Sequence, residues 1–283
     1  MLQPREHSFL SLSPHGFHRV AYFEWGHPAS ARTLVCVHGL TRNGRDFGAL
    51  ASALSDRFRI LCPDMPGRGD SEWLRDPTDY GFPTYLSTIA ALLTHAQVER
   101  VAWLGTSMGG LLGMALAAQP ETPVTRLVIN DVGPVLEPAA LLRIAGYVGL
   151  DPVFDTFDAL EAHIREVSAP FGALTDAQWS DLSRSTARRT PDGRWRLKYD
   201  PGIAVPFHNA SAPADLWSIW DAIRCPTLLL RGAQSDLLAP QTAAAMRSRG
   251  PKPQFVEFPG VGHAPMLLSA EQIAPVAAFL DEA

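Results

Sequence analysis

The chain has 283 residues, 46% hydrophobic and 19% charged, enough to bury a sizeable core in one large domain or two small ones. Its formal net charge of -5 comes without long runs of like charge, which argues against nucleic acid or an anionic membrane surface as partner. The odd cysteine count (Cys36, Cys62 and Cys225, each in or beside an apolar strand candidate) suits small buried thiols better than a disulfide framework or a metal site.

Taken in order, residues near 8–14 and 18–25 read as two strands joined by a turn at Pro14-His15-Gly16. Before them, Met1–His7 lacks the basic-then-apolar pattern of a signal peptide. No apolar run in the chain approaches the length of a membrane span. A cytoplasmic, soluble protein is the expectation. Thr33–Val37 is an apolar run typical of a strand covered on both faces, and it stops at the polar, glycine-punctuated loop His38–Gly44. A helix of about 46–56 carries Phe47, Leu50 and Leu54 at helical spacing. The strand Phe58–Cys62 is closed by Pro63-Asp64-Met65-Pro66-Gly67-Arg68-Gly69-Asp70-Ser71, and a helix near 82–96 follows.

Arg100–Leu104 is another short apolar strand, and Leu111–Ala118 is rich in good helix formers up to Pro120. Between them stands Gly105-Thr106-Ser107-Met108-Gly109. Val124–Ile129 is a further strand, ending at Asn130-Asp131-Val132-Gly133-Pro134. The alternation then breaks from about 135 to 215. That stretch holds helical patches near 138–148 and 157–168, a turn within Arg189–Trp195, and Pro201, Pro206 and Pro213 on the way back, with no buried-strand run. It reads as a mostly helical insertion. Thr227–Leu230 leads into Arg231–Asp236, and a helix of about 240–249 and the strand Gln254–Phe258 lead to Gly260–Pro265. A closing helix of about 270–281 places Ile273, Val276, Ala277 and Leu280 on one face. Strands alternating with helices imply a mostly parallel sheet wrapped on both sides, with functional loops at the carboxyl ends of its strands.

Gly105–Gly109 fits the pattern G-x-S-x-G in the strand-to-helix context that the pattern needs. So abrupt a turn forces the serine to φ > 0, and the flanking residues must be small because strand and helix backbones nearly touch. Ser107 is therefore the expected nucleophile. A serine hydroxyl needs a base, and His263, in the loop after the last strand, is the candidate. The histidine needs an acid behind it. Asp236, in the loop after the preceding strand, is the choice, and Asp131, after the sixth strand, is its rival. Backbone N–H groups of Met108 and Leu40 are the expected oxyanion donors.

Other polar residues carry blander expectations. His38 fixes its own loop, Asp64 and Ser71 tie down theirs, and Arg42 is more at home in a surface salt bridge than on a substrate carboxylate. His208 is expected to be satisfied or exposed, and Trp179, Trp195, Trp217 and Trp220 to be core. Neither metal-ligand spacing nor a phosphate or dinucleotide loop is present, so no metal or cofactor is expected.

With His38-Gly39, Asp64–Ser71, Gly105–Gly110 and Gly262-His263 in hand, the chain resembles the α/β-hydrolase superfamily over essentially its whole length. It looks most like the bacterial branch holding carboxylesterases, lactonases and C–C bond hydrolases. The resemblance implies an eight-stranded, mostly parallel α/β sheet flanked by helices. Residues 1–134 and 214–283 would form the core, and 135–213 a helical cap inserted after the sixth strand. It also implies a cofactor-independent serine hydrolase acting on a small ester through Ser107, Asp236 and His263, with no nucleic-acid or membrane partner. A C–C hydrolase of ring-cleavage products is the alternative chemistry, and a non-catalytic ligand receptor on the same fold the alternative of another class.

Overall fold

The computed structural model describes residues 3–208 and 215–282; the expected boundary at 213/214, Pro213 and the side chain of His208 lie outside the described residues. In chain order the first half comprises β1 (Arg5–Ser13), β2 (Gly16–Trp25), β3 (Thr33–Val37), α1 (Gly48–Leu54), β4 (Arg59–Pro63), α2 (Phe82–His95), β5 (Val101–Thr106), α3 (Met108–Ala117) and β6 (Val124–Asn130). Next come α4 (Pro138–Ala145), β7 (Val153–Phe154), α5 (Phe157–Val167), α6 (Asp176–Thr186), β8 (Ala187–Arg189), β9 (Trp195–Leu197) and α7 (Ala204–His208). The chain closes with α8 (Trp217–Ala222), β10 (Thr227–Gly232), α9 (Pro240–Ser248), β11 (Gln254–Phe258) and α10 (Ala270–Asp281).

Eight strands form one sheet in the order β1-β2-β4-β3-β5-β6-β10-β11. The β1–β2 and β2–β4 pairs are antiparallel, and every pair from β4 to β11 is parallel. The sheet is thus the mostly parallel one expected. Its central strands are apolar throughout because both faces are covered. In β3, Val35 and Val37 pack into one core while Leu34 and Cys36 pack into the other, and β5 splits Val101 and Trp103 from Ala102 and Leu104 in the same way. Residues of α2 and α3 (Ile89, Leu112) belong to the first core, and residues of α1 and α10 (Leu50, Phe279) to the second. Cys36 and Cys62 are buried free thiols on adjacent strands, whereas Cys225 is only partly covered.

The segment between β6 and β10 is less purely helical than its sequence suggests. It contains a three-stranded antiparallel sheet, β7-β9-β8, beside its helices. Strands of two or three residues are too short to show an alternation. The β8–β9 turn is the one expected there, with Gly193 at φ +85°. The limb after β9 is stitched to the loop after β4. Gly69 N–H donates to the Lys198 carbonyl at 2.8 Å, and Asp200 N–H to the Gly67 carbonyl at 2.7 Å. The Tyr80 hydroxyl donates to Asp200 at 2.6 Å, and Lys198 pairs with Asp70.

Candidate active site

Ser107 sits between β5 and α3 at φ +54°, ψ -116°, the strained conformation that the elbow demands. Its N–H donates to the Asn130 carbonyl at 3.0 Å, which ties the elbow to the end of β6. The flanking glycines are sterically required. A Cβ on Gly105 would lie 2.1 Å from the Gly109 carbonyl oxygen, and one on Gly109 would lie 2.0 Å from that of Val37.

The Ser107 hydroxyl and His263 Nε2 are 3.0 Å apart, and His263 Nδ1 lies 2.8 Å from Asp131 Oδ2. The tautomer that donates Nδ1–H to the carboxylate leaves Nε2 free to accept the serine proton. The carboxylate that meets the histidine is thus that of Asp131, the rival in the sequence, and not that of Asp236. Asp236 instead receives a two-pronged bond from Arg143 of α4, at 2.6 and 2.9 Å. The reason lies in register. Asn130 pairs with Thr106 on one side and Leu230 on the other, so the next residue, Asp131, leaves β6 level with the elbow. After β10, by contrast, the chain turns, with Ser235 N–H on the Gly232 carbonyl at 2.8 Å. That turn brings Ser235 inward and sends Asp236 out toward α4.

Asp131 is fully buried, yet both its oxygens are satisfied. Oδ1 accepts from Gly232 N–H at 2.9 Å, and Oδ2 accepts from the Ser235 hydroxyl at 2.7 Å as well as from His263. Ser235 was not among the sequence candidates, and its only signal is its place in the loop after β10.

The loop after β3 packs on the elbow: a Cβ on Gly39 would lie 3.6 Å from that of Ser107. Met65 N–H donates to His38 Nε2 at 2.9 Å, so Nδ1 carries the ring proton and donates to the Gly39 carbonyl at 2.7 Å. His38 fixes its loop, as expected. Arg68, which the sequence reading left without a role, is fully buried. It donates to the Leu40 carbonyl at 2.8 Å and the Tyr85 hydroxyl at 2.7 Å, and it reaches the Met108 sulfur at 3.9 Å. It forms no ion pair with a carboxylate among the described residues. A buried guanidinium therefore stands behind both residues expected to supply oxyanion donors. Met108 opens α3, so its N–H has no partner within the helix. Asp64 and Ser71 hold their own loop, Asp64 accepting from Asp70 N–H at 2.7 Å and the Ser71 hydroxyl donating to the Asp64 carbonyl at 2.6 Å, and they join it to its neighbours by accepting from Gly44 and Ala21 N–H.

Burial pushes the His38 imidazole down from 6.5 to about 3, and the charges of Arg68 and Arg42 act in the same direction. The unfolded chain takes up a proton below the ordinary value while the folded one does not. Stability from this group is therefore intact above the ordinary value and is lost as pH falls toward 3, at about 1.4 kcal/mol per pH unit. Urea midpoints measured from pH 7 down to 4 should fall more steeply for the wild type than for His38→Gln. Equal slopes would remove His38 from the account.

Ser107 and His263 open into a cavity of about 120 Å³, and the segment between β6 and β10 supplies half of its lining residues. Ile144, Ile164, Phe171, Leu197 and Met266 make its walls mainly apolar, and Arg42, Arg143 and Tyr147 give it a polar end. Arg42 is held by Asp46 at 2.6 and 2.8 Å, in the ion pair expected of it, but with both side chains nearly covered and not at the surface. None of the four tryptophans Trp179, Trp195, Trp217 and Trp220 lines this cavity, and Trp179 and Trp220 are buried core.

The model of the alpha/beta hydrolase family matches residues 34–278. The chain belongs to the alpha/beta hydrolase family. A curated relative of this hydrolase is the 3-hydroxybutyrate-oligomer hydrolase of Cupriavidus necator, 48% identical over 280 residues, 96% of each chain. An esterase of Mycobacterium tuberculosis is 28% identical over 81% of this chain and 75% of that one. Among solved structures, an alpha/beta hydrolase from Novosphingobium aromaticivorans superposes with a TM-score of 0.89 at 38% identity, covering 99% of both chains. Among the hydrolase's described residues, no group of three or more His, Cys, Asp or Glu is placed to hold a metal ion. No described helix is long and apolar enough to cross a membrane.

Proposed function

We propose that this hydrolase cleaves short oligoesters of 3-hydroxy acids by acyl transfer through Ser107. The observation that carries the chemistry is the aligned relay from Ser107 Oγ through His263 to Asp131, at 3.0 and 2.8 Å, opening into a small apolar cavity. His263 takes the serine proton as Oγ attacks the ester carbonyl. Asp131 holds the ring in the required tautomer and balances the imidazolium that forms. The N–H groups of Leu40 and Met108 receive the oxyanion, and Arg68, bonded to the Leu40 carbonyl, positions that loop and adds positive potential behind it. His263 then gives its proton to the leaving alkoxide. Water activated by the same histidine releases the acid. Residues 135–213 act as the cap that shapes the cavity.

The substrate class rests on the Cupriavidus necator relative, whose likeness runs almost end to end. A hydroxybutyrate unit, four carbons with one methyl branch, suits a cavity walled by Ile144, Ile164 and Leu197. Purified protein incubated with the dimer and trimer of 3-hydroxybutyrate should release the monomer, followed by chromatography. Turnover of a yellow ring-fission product with no cleavage of either oligomer would sink the reading.

A further inference from the structure

We propose that Arg143 recognises the free carboxylate of the oligoester's terminal unit, exchanging it for the carboxylate of Asp236, so that the substrate is selected as an acid; this rests on the oligoester reading above. A hydroxy-acid oligomer is apolar along its length and carries one charge, at its carboxyl end. The cavity has the matching polarity, with apolar walls and a cationic end at its rim.

Two arginines reach that end, and they differ in availability. The carboxylate of Asp46 holds Arg42, and the pair is only 12% and 9% exposed, so it is part of the wall. Arg143 and Asp236 are 36% and 45% exposed. An ion pair open to water contributes little net stability, so an incoming carboxylate can replace Asp236 at small cost. The geometry for such a guest is already built: the guanidinium grips Asp236 with two parallel bonds at 2.6 and 2.9 Å, the fork that recognises carboxylates best. Tyr147 lies against the same guanidinium, and the charges of Arg143 and Arg42 oppose the rise that burial imposes on its phenol. Its hydroxyl offers the guest a further donor.

Direction follows from the relay. The proton that His263 releases goes to the leaving alkoxide, so the leaving unit lies on the histidine's side of the cavity. Ser235, the residue before Asp236, bonds the same Asp131 oxygen as His263 does, which puts the Arg143 fork on that side. In the step itself the Ser107 Oγ–carbon bond forms, the ester C–O bond breaks, and the alkoxide takes the proton from His263. The terminal carboxylate is unchanged and leaves with the hydroxy-acid monomer.

The test compares the 3-hydroxybutyrate trimer as free acid with its methyl ester, in the wild type, Arg143→Met and Asp236→Asn. The wild type should favour the free acid by about tenfold or more in kcat/KM, and Arg143→Met should bring that ratio toward unity through KM. Asp236→Asn, which removes the internal competitor, should lower KM for the free acid. A structural role for Arg143 would not produce that opposite sign. Equal losses on both substrates in Arg143→Met, or no preference in the wild type, would overturn the proposal and leave the hydrolase reading standing. Failure of the wild type to cleave either trimer would overturn both.

Discussion

Asp131→Asn should lower kcat on a p-nitrophenyl ester by about 10⁴-fold, while Asp236→Asn should cost no more than a few-fold. The asparagine is nearly isosteric, but its amide cannot accept from His263 Nδ1–H while keeping the bonds from Gly232 and the Ser235 hydroxyl. The ring then settles in the tautomer that carries its proton toward Ser107, and the base is lost. Asp236 has no such hold, since its carboxylate is spent on Arg143. Steady-state kinetics on both variants, with circular dichroism to verify folding, gives the answer. A large loss in Asp236→Asn beside a small one in Asp131→Asn would reverse the assignment.

Ser107→Ala and His263→Ala should each remove about 10⁶-fold of kcat, and the double variant should be no worse than either. Oγ and Nε2 at 3.0 Å act as one unit, because a serine without its base is a poor nucleophile and a base without its serine has nothing to deprotonate. What remains over the uncatalysed rate would come from the N–H groups of Leu40 and Met108 and from binding. Labelling by a fluorophosphonate should vanish in Ser107→Ala. Losses that multiply in the double variant, or labelling that survives, would place the chemistry elsewhere.

The elements that hold these residues were legible because their constraints are local. An apolar run such as Thr33–Val37 needs cover on both faces, and a serine between Gly105 and Gly109 at a strand-to-helix junction has few other uses. The choice between two acids was not local. It depends on Asn130 standing level with Leu230, and on a turn that points Ser235 inward, neither of which sequence spacing reports. The same holds for Arg143 with Asp236, which meet across 93 residues of chain, and for Arg68, whose burial depends on how the loops after β3 and β4 fold together. The short strands β7 to β9 escaped because two or three residues carry no period.

With His263 backed by the carboxylate at the end of β6, Asp236 makes no bond to the relay, although the neighbouring Ser235 does. Natural drift and laboratory libraries alike can therefore change this exposed side chain without extinguishing turnover, so new substrate preferences should emerge there at little loss of rate, while Leu237 and Leu238 beside it stay fixed as core. A fold that drew its acid from that position would tie every such experiment to the survival of catalysis.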